Sequence, residues 1–159
     1  MYTKIKDLII DIDGIDTDDL CDSWQWCLAE MNKVFIISKM GDMFLIGKGE
    51  QIYWLQVDSG GVLSKIADSL VEFEELLSIY DNIDNWFLPG LVDQLLKSKI
   101  DLKGNEVYNY KKLPVLGGEY KIENIEPTDI SIHFWLTGQI CEQIKNLPDG
   151  TKVKLVVKD

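Results

Sequence analysis

The residues best placed to do chemistry lie near the N-terminus. The run Leu8-Ile9-Ile10-Asp11-Ile12-Asp13-Gly14 sets two carboxylates two positions apart behind an apolar stretch. In a strand, alternate residues share a face, so Asp11 and Asp13 would point the same way. Two carboxylates at a strand end suit phosphoryl transfer. One attacks phosphorus, the other moves a proton, and Mg²⁺ bridges carboxylate and phosphate.

This D-x-D-G opening is similar to that of haloacid-dehalogenase-like, Mg-dependent phosphatases. Ile15 stands where that pattern most often carries Thr. Ser38, after Val34-Phe35-Ile36-Ile37, is the available phosphate-binding hydroxyl, and Asp81 and Asp84 are the available later acidic pair. A calcium loop does not fit: counted from Asp11, a ligand position falls on Ile15 and the glycine comes too early. Asp11, Asp13, Asp16, Asp18, Asp19 and Asp22 also form an acidic run without a basic residue inside it. A solvated face and a docking surface for a basic partner are both compatible with such a run.

Other chemistry is sparse. His133 is the sole histidine, and its alternation with Ile130, Ile132 and Phe134 predicts a strand with a structural, hydrogen-bonded imidazole. Cys21, Cys27 and Cys141 are odd in number and at no metal-ligand spacing, so reduced, mostly buried thiols are expected, with no disulfide and no metal. P-loop, nucleophile-elbow, zinc-protease and dinucleotide fingerprints are absent from the sequence, and no cofactor is expected.

The elements that must position these residues follow from pattern. The chain has 159 residues with 46% apolar and 27% charged, which suits one globular domain. Ile5, Leu8, Ile9 and Ile12 fall at helical spacing, although the same stretch also suits a short strand. Leu20, Trp24, Cys27, Leu28 and Met31 make a helical stripe that Thr17 can cap. Residues 1–33 are therefore expected to be a helical extension, with one compact α+β unit over 34–159. From residue 34 to 67, four β-branched or aromatic runs separated by MGD, GKGE and DSGG predict a β-meander. Ser69 and Glu72 form a capping box before Leu70, Phe73, Leu76, Leu77 and Tyr80. Pro89 opens another helix carrying Leu91, Val92, Leu95 and Leu96. Strands are expected at VYNY, EYKIENIE, DISIHFWL and TKVKLVVK, with Pro127 at a joint and a short helix at TGQICEQIKN. The expected fold class is α+β, with a mainly antiparallel sheet and packed helices in a single domain.

Charge narrows the partners. There are 27 acidic residues against 16 basic ones, all lysine, and the net charge is −11. Nucleic acid is excluded as the favoured partner, because phosphate neutralisation needs a basic face. No apolar run is long enough to span a membrane, and the N-terminus lacks secretory-signal features, so a cytoplasmic location is expected. The favoured partner is a positively charged protein.

The blocks P-V-L-G-G-E-Y at 114–120, T-D-I-S-I-H-F at 128–134 and T-G-Q-I-C-E-Q-I-K-N-L-P-D-G-T at 137–151 follow G-D-M-F-L at 41–45, I-Y-W-L at 52–55 and W-F-L-P-G-L-V at 86–92. This order resembles the C-terminal domain of the Tdi-type type VI secretion immunity proteins, a family related to GAD-like domain proteins. The resemblance spans about residues 34–151. It implies a cytoplasmic protein that binds and neutralises a cognate secreted toxin, which for the namesake is a DNase. About 33 residues precede the shared region, where longer members carry a further domain. The resemblance implies no catalytic residues. Gly41, Asp42, Trp54, Gly117, Gly118, Tyr120, His133, Gly138 and Gln139 carry the shared pattern and are expected to be structural. Tyr120, His133 and Gln139 are also candidates for a polar network or a small-molecule pocket, and Gly138 for a strand-to-helix transition. The toxin-binding candidates are Asp11, Asp13, Asp16, Asp18, Asp19, Asp22, Glu119, Glu123 and Glu126, which would meet a basic toxin surface, for example that of a nuclease.

Overall fold

A computed structural model describes residues 4–158. Its centre is a four-stranded antiparallel meander in sequential order: β1 (Met31–Ile37), β2 (Met43–Gly47), β3 (Ile52–Gln56) and β4 (Val62–Ala67). The four predicted strands of the meander are all present, because each is a short β-branched or aromatic run bounded by turn chemistry. Met31, expected on a helix, instead opens β1, which carries two register irregularities against β2.

One face of the meander packs on helices α3 (Leu70–Leu76), α4 (Tyr80–Phe87) and α5 (Pro89–Lys97). Phe44 is the anchor there, with its ring centroid 5.8 Å from Phe73, 6.3 Å from Trp86 and 4.9 Å from Phe87. The Ser69 hydroxyl accepts the Glu72 amide as the capping box requires, while the Glu72 carboxylate reaches back to the Asp68 amide. The stripe expected to run through Tyr80 breaks at Leu77; Leu70 and Tyr80 are exposed. Leu88 between α4 and α5 adopts φ +51, the left-handed conformation that ends α4 with its amide on the Asp84 carbonyl before Pro89 opens α5.

The other face is covered by the N-terminal segment and by α6 (Ile130–Ile144). Residues 5–12 form neither the expected helix nor a full strand. They make a 3-10 turn at Ile5–Asp7, then an extended stretch held by a single antiparallel bridge, Ile9 to Ser38. The predicted helix over 17–31 is three short pieces: α1 (Thr17–Leu20), a 3-10 turn at Asp22–Trp24, and α2 (Gln25–Leu28). Asp16, not Thr17, is the cap, accepting the amides of Asp18 and Asp19. Leu8, Leu20, Trp24 and Leu28 of this segment are buried in the common core.

The largest departure is α6. DISIHFWL is its first half, not a strand. The Asp129 carboxylate accepts the amides of Ser131 and Ile132 and starts the helix. Ile130, His133, Phe134, Thr137, Gly138 and Cys141 are its buried face, at helical spacing. Gly138 therefore sits mid-helix, not at a strand-to-helix transition. A Cβ there would lie 2.6 Å from the Ser23 backbone oxygen, and its own carbonyl accepts the Trp26 indole N–H at 3.2 Å.

A two-stranded ribbon, β5 (Glu106–Tyr110) with β6 (Ile125–Asp129), completes the fold. Pro127 lies inside β6 opposite Tyr108, which a two-stranded sheet tolerates because β6 is an edge. Residues 119–124 precede β6 without strand pairing. The terminal TKVKLVVK stretch is not a strand among the described residues. It lies along α6, where Gln139 and Gln143 side chains exchange hydrogen bonds with the backbones of Lys158 and Val156. No described helix is long and apolar enough to cross a membrane.

Gly41 has φ +85, and a Cβ there would lie 2.4 Å from His133 Nε2. Gly41→Ala should therefore lower stability by about 3 kcal/mol or more. Gly90 lies within α5, with open space where a Cβ would stand. Gly90→Ala should raise stability by roughly 0.5–1 kcal/mol. Urea unfolding of the two variants checks both signs, and equal effects would contradict this packing.

Candidate functional site

Four of the pattern residues, Gly41, Asp42, Trp54 and His133, meet at the turn Ser38–Asp42 that links β1 to β2. The turn closes on itself: the Ser38 amide donates to the Asp42 carbonyl at 3.0 Å, and the Asp42 amide donates to the Ser38 hydroxyl at 3.0 Å. Gly41 donates its N–H back to the Ser38 carbonyl. The Asp42 carboxylate then reaches outward. It accepts the Trp54 indole N–H at 3.0 Å and the Val57 amide at 2.9 Å. Burial, then the neighbouring Asp58 charge, holds the Asp42 carboxyl well above the usual carboxylate range, against the pull of these two hydrogen bonds.

His133 docks α6 onto the same turn. Its Nε2 lies 2.9 Å from the Gly41 carbonyl, and its Nδ1 lies 2.8 Å from the Asn109 side-chain amide on β5. The atom facing Nδ1 is Asn109 Oδ1, and the Asn109 NH₂ donates to the Tyr110 carbonyl at 3.1 Å; a neutral ring, with one N–H, donates to either the Gly41 carbonyl or Asn109 Oδ1. The expectation of a structural, hydrogen-bonded histidine therefore agrees with its contacts, although the residue sits on a helix. Burial pushes its pKa down to about 4, outweighing the Gly41 carbonyl.

Tyr120, His133 and Gln139 do not form one network. The Tyr120 hydroxyl donates to the Asp58 carboxylate at 2.9 Å, 62 residues away in sequence. Gln139 holds the C-terminal stretch. Gly117 and Gly118 shape the loop before Tyr120: Gly117 has φ +98, and a Cβ on Gly118 would overlap the Lys112 carbonyl.

Beside Asp42 lies a cavity of about 250 Å³, lined by Met40, Trp54, Asp58, Trp86 and Tyr120 among others. Tyr120 borders it and His133 does not, so the pocket expected around both residues is built around Tyr120, Asp42 and Asp58 instead. Asp58 is not among the sequence candidates. Its only sequence signal is its place in the DSGG turn, which marks a loop and not a site.

All nine acidic toxin-binding candidates are exposed. Asp16 is occupied as a helix cap, Asp11 Oδ1 accepts the Asp13 amide at 2.9 Å, and Glu119 pairs with Lys121 at 3.3 Å. Asp19 and Asp22 rim a groove of about 310 Å³ with Ser23, Ser131, Ile132 and Trp135. Ile132 is 52% and Trp135 39% exposed, so an apolar strip lies beside the acidic rim.

The phosphatase geometry fares differently. Asp11 and Asp13 border an open cleft of about 550 Å³ that also holds Lys39, Asp101, Lys103 and Glu106. Yet the strand that the D-x-D-G reading requires is only one antiparallel bridge, and the Ser38 hydroxyl is buried in the turn. Asp81 and Asp84 lie on α4. Among the described residues no group of three or more His, Cys, Asp or Glu side chains could hold a metal ion. The cysteines are free; burial, the leading cause, pushes Cys21 up to about 11 and Cys27 and Cys141 up to about 12, so the thiols stay protonated and poorly nucleophilic.

Residues 67–141 match the family model described as T6SS immunity protein Tdi1, C-terminal. The match covers the helices α3 to α5, the β5–β6 ribbon and most of α6, and it agrees with the family resemblance in the sequence. Gly41, Asp42 and Trp54 lie outside the matched segment, yet Gly41 is bound to His133 inside it. No curated protein matches the chain.

The His133 environment has a pH signature. With a folded pKa near 4 and an unfolded value near 6.5, the unfolded chain binds the proton first as pH falls. The stabilising effect of neutral His133 is complete above about pH 6.5 and declines towards pH 4, by up to about 3 kcal/mol. His133→Gln should therefore cost more stability at about pH 7.5 than at about pH 4.5. Urea unfolding of both proteins at the two pH values measures this. A larger cost at the acid end would reverse the assignment.

Proposed function

We propose that this chain, whose residues 67–141 match an immunity-protein domain, is an immunity protein that binds a cognate secreted toxin and neutralises it stoichiometrically in the cytoplasm. The family match is the observation that carries the reading. It supports a toxin partner and an inhibitory role.

The chemistry of the surface supports a basic toxin, a class that includes nucleases. The net charge is −11, and no arginine offsets the acidic residues. Asp18, Asp19 and Asp22 stand on the short helical turns, and Asp19 and Asp22 line one groove with exposed Ile132 and Trp135. An apolar centre with a charged rim matches the anatomy of protein interfaces, where aromatic residues anchor and charges orient. Glu119 and Glu123 on the approach to β6, and Glu126 within it, offer further exposed carboxylates. In this mechanism the acidic face meets a basic groove of the toxin and blocks access of its substrate.

Long-range attraction of this kind raises the association rate and is screened by salt. Replacing Asp18, Asp19 and Asp22 together with Asn should slow association with the toxin encoded beside this chain by roughly tenfold at low salt. Asp16 is left intact because it caps α1. Stopped-flow or surface-binding kinetics at two salt concentrations decide the matter. An unchanged on-rate with unchanged salt dependence would place the interface elsewhere.

A further inference from the structure

The stretch 152–158 beyond α6 is rich in strand-favouring residues, yet it pairs with no strand among the described residues. It is held from one side only. Gln139 Oε1 accepts the Lys158 amide at 2.6 Å, and Gln139 Nε2 donates to the Lys158 carbonyl at 3.0 Å. Gln143 grips Val156 in the same way, at 2.9 and 2.7 Å. Each glutamine thus does for one residue what a neighbouring strand would do. Only extended backbone turns the N–H and C=O of residues two apart to the same side. The groups of Val157, and of Leu155 before it, therefore face away from α6, and they make no hydrogen bond among the described residues.

This is an open strand edge, and such a row of free groups templates pairing with another chain. Val153, Val156 and Val157 beside it are 39%, 52% and 44% exposed. Val153 also lines a groove of about 230 Å³ with Val115, Leu116, Ile144 and Leu147. The edge and the groove are therefore continuous.

The phase of the edge selects its partner. Antiparallel strands bond through residue pairs that exchange both N–H···O=C bonds. A two-fold axis at Leu155 sets Leu155 against Leu155 of a second copy, and Val153 against that copy's Val157. These are the positions whose groups face outward. The side chains agree with the same register. Residues 153, 155 and 157 share one face, so Val, Leu and Val meet Val, Leu and Val across the junction. Val157 of the second copy then stands opposite Val153, at the apolar groove, and the symmetry fills both grooves at once. Lys152, Lys154 and Lys158 lie on the other face. A toxin with the basic surface proposed above is repelled by those lysines.

We propose that this edge pairs with the same edge of a second copy of this chain, antiparallel about Leu155, to form a two-fold dimer in which each copy's Val157 enters the other's groove. Such a contact uses one patch twice. It is small, which sets its dissociation constant on the order of 0.1–1 mM. Lys152 lies opposite Lys158 of the second copy, and each copy carries a net charge of −11, so added salt should tighten the dimer. The toxin encounter proposed above responds to salt with the opposite sign.

The test follows amide hydrogen exchange and sedimentation of the full chain from about 10 µM to about 2 mM. The Val156 and Lys158 amides should be protected throughout. The Leu155 and Val157 amides should become protected only as the dimer forms. In a mixture of isotope-labelled and unlabelled chain, a cross-chain NOE should link Lys154 Hα to Val156 Hα, the pair without hydrogen bonds in this register. Leu155→Pro removes an N–H that the monomer leaves unbonded, and Val157→Lys removes the side chain that enters the groove. Each should weaken self-association at least about tenfold while Val156 and Lys158 stay protected. A folded chain that is monomeric across the whole range, protection of Leu155 and Val157 at every dilution, salt that weakens the dimer, or a dimer indifferent to both variants would overturn the proposal. So would protection of these two amides when catalytically inactive toxin is added to the monomer, since the edge would then belong to the toxin and not to a second copy.

Discussion

Five residues between β1 and β2 carry the strictest constraint in the molecule. The Ser38–Asp42 turn closes on itself through three hydrogen bonds and takes five further partners from distant parts of the chain. The Lys39 amide donates to the Leu8 carbonyl, and the Lys39 carbonyl accepts the Tyr108 amide at 2.7 Å. The Gly41 carbonyl takes His133, and the Asp42 carboxylate takes Trp54 and Val57. The N-terminal stretch, the meander, the β5–β6 ribbon and α6 thus all register on one tight turn. Such a hub is intolerant, because each buried donor or acceptor left without its partner costs free energy that no other contact restores.

Two different uses of acidic residues follow from where they sit. Asp18, Asp19 and Asp22 are exposed, so their fields reach into solvent, act at long range and are weakened by salt. Asp42 and Asp58 are nearly enclosed, so they act at short range in a medium that strengthens any pairing they find. The hub ties the two together: Asp42 belongs to the turn, and α6, which presents Ile132 and Trp135, is docked to that turn by His133.

Some of this organisation is plain in the residues themselves. The meander is legible because its four runs are short, rich in β-branched and aromatic residues, and divided by glycine-containing turns. The Ser69–Glu72 cap and the Pro89 helix start are local hydrogen-bond and steric signals that need no distant partner. The α6 segment misleads because Ile130, Ile132, Phe134 and Trp135 are strand-favouring side chains. Tertiary packing overrides that weak preference: Asp129 caps the helix, and Ile130, His133, Phe134 and Thr137 bury one helical face. The segment 5–15 misleads for the opposite reason. Its apolar spacing is helical, but its backbone pairs with Ile37 and Lys39 and is drawn out along the turn.

The sequence alone determined the acidity, the α+β class and the four-stranded meander, and it carries the resemblance that a family model matches over residues 67–141. Each rests on composition, local periodicity or short-range turn chemistry, which a chain carries whatever its tertiary contacts. Only the tertiary structure decided that Asp42 and Asp58 share a cavity, that the Tyr110 hydroxyl has no partner among the described residues, and that Gly41 must be glycine because His133 lies against it. Those facts depend on residues 16, 62 and 92 positions apart meeting in space, as in Asp42 with Asp58, Asp58 with Tyr120, and Gly41 with His133. Such meetings are set by how the layers pack, and spacing along the chain does not encode them.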